Sequence, residues 1–176
     1  MRTGVIFGGL ALVVVALTSL VVRKEAVLTH GKTVLLELAP VDPRSLMQGD
    51  YMVLDYAISR ELQRQLPDST NGRLVLRLDE LGVGRFVRTH DAGTPLQPEE
   101  FLLRYRVRNG RVRLGAEAFF FQEGHANRYE RAKYGELRVQ EDGNSVLVGL
   151  RDAERQPLGQ SAYLEAGTRQ PPVTGP

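Results

Sequence analysis

Cysteine is absent from the 176-residue chain, which excludes a disulfide framework, a thiolate zinc site, an iron–sulfur cluster and a lipidated cysteine anchor. Histidine is sparse and scattered, at His30, His90 and His125, and Glu123-Gly124-His125 sets one carboxylate close to the last of them. Zinc takes three or four such ligands, so no metal site is expected. Lysine is scarce too, with only Lys24, Lys32 and Lys133 among 23 basic residues. The arginines that make up the rest suit hydrogen-bonded pairing with carboxylates on a sheet surface. An excess of one charge sign is also missing, because 21 acidic residues leave a net charge of +2. Arg2, Arg23 and Lys24 lie in residues 1–24 without an acid, so the remainder carries 20 basic and 21 acidic groups. A near-neutral body argues against nucleic acid as a partner. With 42% apolar and 25% charged residues, the composition is that of a globular domain. The length allows one domain with an appendage, and no cofactor is implied.

What is present begins with an apolar run. Gly4 to Val22 hold 19 positions without a charge, bounded by Arg2 before and Arg23-Lys24 after. Such a helix extends about 28 Å at 1.5 Å per residue, close to a hydrocarbon core of roughly 30 Å. A cleaved signal peptide would have a shorter core ending in small residues, whereas Leu20, Val21 and Val22 continue to the charges. The expectation is an uncleaved transmembrane signal-anchor over residues 1–24 and a β-rich extracytoplasmic domain over 25–169. Residues 170–176 are expected to form a flexible tail. Only three residues precede the run, an arrangement that leaves them in the cytoplasm and sends the domain across a bacterial inner membrane to the periplasm.

Alternation dominates the domain. Val34, Leu36 and Leu38 share one face of a predicted strand from Lys32 to Ala39, and Met52, Leu54, Tyr56 and Ile58 share one from Tyr51 to Ile58. Ser59 to Leu66 read as a short helix with Ser59 as N-cap, and Arg73 to Asp79 as a half-buried strand with Leu74, Leu76 and Leu78 inward. The clearest hairpin runs from Phe101 to Phe121 and turns at Asn109-Gly110, the favoured type I′ pair. One face then carries Phe101, Leu103, Tyr105, Val107, Val112, Leu114, Ala116, Ala118 and Phe120. A short helix after residue 124 and a second hairpin, Gly135 to Asp152 around Asp142-Gly143, follow. About seven strands and two short helices predict a mainly β fold, a β-sandwich or open barrel, plus one N-terminal transmembrane helix.

The other hairpin face carries Arg104, Arg106, Arg108, Arg111 and Arg113. Like charges opposed across strands cost stability unless acids or solvent intervene. Two readings follow: a contact site for phosphate, lipid headgroups or an acidic surface, or a solvated face braced by Glu136, Glu117 or Glu100. Phe119 and Phe121 point to the arginine side in this register, and with Glu123 and His125 they outline a candidate pocket unless a helix bearing Tyr129 covers them. Ser45-Leu46-Met47-Gln48-Gly49-Asp50-Tyr51 is similar to a turn of type I signal peptidases, but the catalytic serine position falls at Val41 and the lysine base has no counterpart. A hydrolase would have to draw on Asp50, Glu123 and His125.

Gly49-Asp50-Tyr51-Met52-Val53-Leu54-Asp55-Tyr56 resembles the signature of a bacterial family, the GDYXXXLXY proteins. The resemblance extends through Pro40 to Leu46, Phe119 to Ala126 and Tyr134 to Val139, and so covers most of residues 30–155. Read literally, the family name places three positions between Tyr and Leu where this chain has two, Met52 and Val53. Physical reasoning assigns Gly49 and Asp50 to a turn and Leu54 and Tyr56 to the core, with Tyr51 and Asp55 on the opposite face. The resemblance implies a membrane-anchored protein without an established activity, working beside a multi-pass membrane protein. The combined expectation is a non-enzymatic accessory or interaction domain at the bacterial inner membrane. A periplasmic binding module for an anionic ligand or headgroup is the alternative.

Overall fold

The computed structural model describes residues 2–40, 47–48, 51–65 and 71–159. Helix α1, Arg2–His30, leads directly into β1, Lys32–Glu37. Between Ile6 and Val22 every side chain of α1 is exposed. Among the described residues no helix is long and apolar enough to cross a membrane, so the transmembrane helix expected over 4–22 is not part of the fold as described.

The remainder is mainly β. Its strands are β2 Met47–Gln48, β3 Tyr51–Val53, β4 Gly72–Leu78, β5 Gly84–Thr89, β6 Glu100–Arg108, β7 Arg111–Arg113, β8 Ala118–Phe120, β9 Tyr134–Val139, β10 Ser145–Arg151 and β11 Pro157–Leu158. Two short helices join them, α2 Ala57–Gln65 and α3 Ala126–Tyr129. Two four-stranded half-barrels, ordered β1-β9-β10-β11 and β5-β4-β6-β7, are accompanied by a small β2-β3-β8 sheet. A parallel bridge between Leu35 and Val83 ties β1 to the start of β5. The Arg104 amide donates to the Gly143 carbonyl at 2.8 Å, seating the turn between β9 and β10 on the edge of β6. Inside lies one shared core, with Val34, Leu36, Leu74, Leu76, Leu103, Leu137 and Leu150 almost wholly buried.

Several elements depart from the sequence pattern. The strand expected from Tyr51 to Ile58 stops at Val53, and α2 begins at Ala57. The Tyr56 carbonyl accepts from both the Ser59 and Arg60 amides, so Ser59 sits buried inside the helix and is not its N-cap. Ile58 and Leu62, four apart, both face the core, as a helix requires. Leu66 and residues 170–176 lie outside the described residues. The eleven described strands exceed the expected seven because β2, β3, β7, β8 and β11 have only two or three residues each. β5 was hidden in the sequence: its half-buried positions are Gly84, Phe86 and Arg88, a poor apolar stripe.

Candidate functional site

The hairpin of β6 and β7 turns at Asn109 and Gly110, with φ of 51° and 66°, as a type I′ turn demands. Its register sets Arg106 opposite Arg113, Val107 opposite Val112 and Arg108 opposite Arg111. Tyr105 and Val112 are buried, while Arg106, Arg108 and Arg111 are exposed and Arg104 and Arg113 half-buried. These five arginines line a cavity of about 870 Å³. Asn144 and Ser145, at the entry to β10, also line it. Glu117 is the acid on its wall. The Glu117 Oε1 accepts the Leu114 amide, in a short contact, and the Gly115 amide at 3.0 Å, so this carboxylate holds the arch that follows β7.

None of the acids proposed as braces pairs with this face. Glu136 binds Arg151 at 2.8 Å. Glu100, whose side chain is 2% exposed, binds Arg88 at 2.8 Å and lies 4.0 Å from Arg77. Elsewhere Arg85 joins Asp79 and Glu37, and Arg60 joins Asp55 at 2.7 Å. Among the described residues no ion pair involves Arg104, Arg106, Arg108, Arg111 or Arg113.

The hairpin does not continue to Phe121. After Val112 the chain passes through an arch at 114–117, where Gly115 has φ +83°, and enters β8 in another sheet, paired with β3. The inward parity changes across this arch. Leu114 and Ala116 are buried, Ala118 is exposed, and Phe120 is 74% exposed instead of continuing the apolar face. Phe119 and Phe121 turn toward Tyr129, with ring centroids 5.0 and 5.3 Å away, and pack against the core. The candidate pocket of Phe119, Phe121, Glu123 and His125 is therefore filled by aromatic packing. Glu123 is exposed, His125 begins the turn into α3, and none of the four lines the arginine cavity.

The signature residues separate into two groups. Gly49 and Asp50 lie outside the described residues. Tyr51 is half-buried in β3, 5.7 Å from the Phe120 ring. Leu54 is buried, and its amide donates to the Glu117 carbonyl at 2.8 Å. Tyr56 is wholly buried, with its hydroxyl donating to the Ala116 carbonyl at 2.7 Å. Burial, and then the charge of Glu117, push its ionisation far above the ordinary tyrosine range. The hydroxyl thus lies inside the core and not at its edge. At Gly135 an added Cβ would stand 3.0 Å from the Tyr56 ring, so two segments of the family resemblance meet face to face. Leu54 and Tyr56 together fasten the arch that borders the arginine cavity.

A family model described as GDYXXLXY protein matches residues 13–150, most of the chain. Its description places two positions between Tyr and Leu, the spacing that Met52 and Val53 provide here. No curated protein and no solved structure matches the chain.

Proposed function

The chain belongs to the GDYXXLXY family, and on that premise we propose that it is a membrane-anchored, non-enzymatic interaction domain working with an integral membrane partner. The observation that carries the reading is the uncovered face of α1. Ile6, Phe7, Leu12, Val15 and Val21 are among its large apolar side chains left more than half exposed, far beyond what water tolerates in one patch. The polar Ser19 in this stretch returns its hydroxyl to the Ala16 carbonyl at 2.8 Å, the arrangement hydrocarbon requires. With Gly4 and Val5 the uncharged run has 19 positions, about 28 Å of helix, near the roughly 30 Å of a hydrocarbon core. In this reading the anchor is uncleaved, the membrane is the bacterial inner membrane, and the β domain faces the periplasm.

A non-catalytic role is supported by how the signature is used. Leu54 and Tyr56 hold the arch by backbone and hydroxyl hydrogen bonds, and neither presents a reactive group to a cavity. Alkaline carbonate extraction of native membranes tests the anchor: the protein is expected in the pellet, with an intact mass that includes residues 1–24. Release into the supernatant, or a mature chain starting beyond Val22, overturns it. Protease protection in spheroplasts checks the side. Co-purification from mild detergent is expected to retain a multi-pass membrane protein.

A further inference from the structure

We propose that the arginine-lined cavity binds the phosphate of an anionic phospholipid, and that the groove beside it takes the apolar part of the same molecule. Three observations converge. First, five guanidinium groups surround one space, and among the described residues none is ion-paired. Arg106 faces Arg113 and Arg108 faces Arg111, so the hairpin carries like-charge repulsion that a bound anion removes. Guanidinium donors meet phosphate oxygens in pairs, and a cavity of about 870 Å³ is of the size that holds a whole small ligand.

Second, the cavity continues into a shallower one of about 560 Å³, shared through Arg113, Glu117 and Ser145. Val53, Ala118, Val146 and Leu147 are its apolar lining residues not shared with the first cavity, along with Ala116. A charged mouth continuing into a groove of mixed polar and apolar lining suits an amphiphile better than inorganic phosphate or a sugar phosphate.

Third, the cavity lies at the α1 end of the domain. Ser145 pairs with Val139, and Val139 pairs with Lys32, two residues beyond the last residue of α1. Two strand spacings, about 10 Å, therefore separate the cavity rim from the point where α1 enters the sheet. From Val22 to His30 the helix rises about 12 Å, which brings this end of the domain close to a headgroup layer. This third step rests on the anchor proposed above; the first two do not.

Full-length protein in non-ionic detergent micelles is titrated calorimetrically with dihexanoyl phosphatidylglycerol, dihexanoyl phosphatidylcholine and glycerol 1-phosphate. Phosphatidylglycerol is expected to bind, more weakly as salt is raised, and about tenfold or more tighter than either of the others. Arg106→Ser with Arg113→Ser is expected to lower that affinity about tenfold or more. The charge-keeping pair Arg106→Lys with Arg113→Lys, available if the serine variant does not fold, is expected to lower it about threefold. Absent phosphatidylglycerol binding, or binding unchanged in a folded double variant, overturns the site. Glycerol 1-phosphate or phosphatidylcholine binding as tightly overturns the assignment to an anionic lipid. The titration does not depend on where α1 sits, so its failure is distinct from failure of the anchor in carbonate extraction.

Discussion

Tyr56 has three roles at once: its ring fills the core, its hydroxyl donates to the Ala116 carbonyl, and it packs so closely on Gly135 that an added Cβ would stand 3.0 Å from it. Its place in the core was legible, because it shares strand parity with Met52 and Leu54, both buried. The hydroxyl's partner lies sixty residues away, and no local pattern encodes such a pairing. Tyr56→Phe keeps the ring and leaves a buried carbonyl without its donor. Stability is expected to fall by about 1–3 kcal/mol, read from the urea midpoint. The same residue sets an alkaline limit. Tyr56 stays protonated in the fold, whereas the unfolded chain releases that proton near pH 10. Its contribution is therefore complete below about pH 10 and declines above it, by about 1.4 kcal/mol per pH unit. Urea titrations between neutral and strongly alkaline pH are expected to show a shallower decline for Tyr56→Phe than for the native chain. Identical slopes would remove Tyr56 as the source.

At the scale of elements, the hairpin of β6 and β7 was the most legible piece, because Asn109-Gly110 leaves one residue register that puts Val112 inside. What the alternation could not reveal was the arch at 114–117. Leu114 and Ala116 keep the inward parity, so the pattern looks unbroken until Phe120, yet the chain has already crossed to the sheet of β3. The cause is a carboxylate, Glu117, accepting two amides of its own loop, and this is invisible to a hydrophobic count. The same limit hid the start of α2, since residues 52, 54, 56 and 58 alternate like a strand while Ile58 and Leu62 already follow a helix. The arginine face lends itself to an element-level test. Arg111→Glu places a carboxylate opposite Arg108 and converts a repulsive cross-strand pair into an attractive one. Because both positions are exposed, the expected gain is only about 0.2–1 kcal/mol, seen as a slightly raised Tm. A lowered Tm would mean that these arginines are already satisfied by groups beyond their own hairpin. A fold made more stable by losing an arginine would also explain what the native face gives up for binding.

On the scale of the whole molecule, the described side chains of α1 stand apart from the core of the β domain. The core draws on β1, β3, β4, β6, β7, β9, β10 and β11 with α2 and α3, and among the described residues none of α1 belongs to it. Just beyond the end of α1, Arg138 Nη1 donates to the Gly31 carbonyl at 3.1 Å and ties the chain to the sheet. The sequence announced this division through composition alone: an uncharged run at one end, and a body whose acids and bases nearly cancel. It did not announce that the cancelling charges are unevenly matched in space, with Glu100, Glu136 and Asp79 held by other arginines while the hairpin face is left bare. That distribution depends on tertiary packing, which brings the turn before Ser145 from one sheet against β6 of the other, Gly143 meeting Arg104. The separation predicts how the parts behave when cut. A chain comprising residues 31–176 retains the whole described core and sheds the exposed apolar rod. It is expected to remain soluble and monomeric without detergent, and to unfold cooperatively at a urea midpoint close to that of the full chain in micelles. The full chain is expected to aggregate once detergent is withdrawn, because α1 exposes its large apolar side chains from Ile6 to Val22. Analytical ultracentrifugation with parallel urea titrations separates the outcomes. A fragment that is unfolded or aggregated would make α1 an integral part of the β fold, and its apolar face a packing surface within the protein instead of one made for lipid.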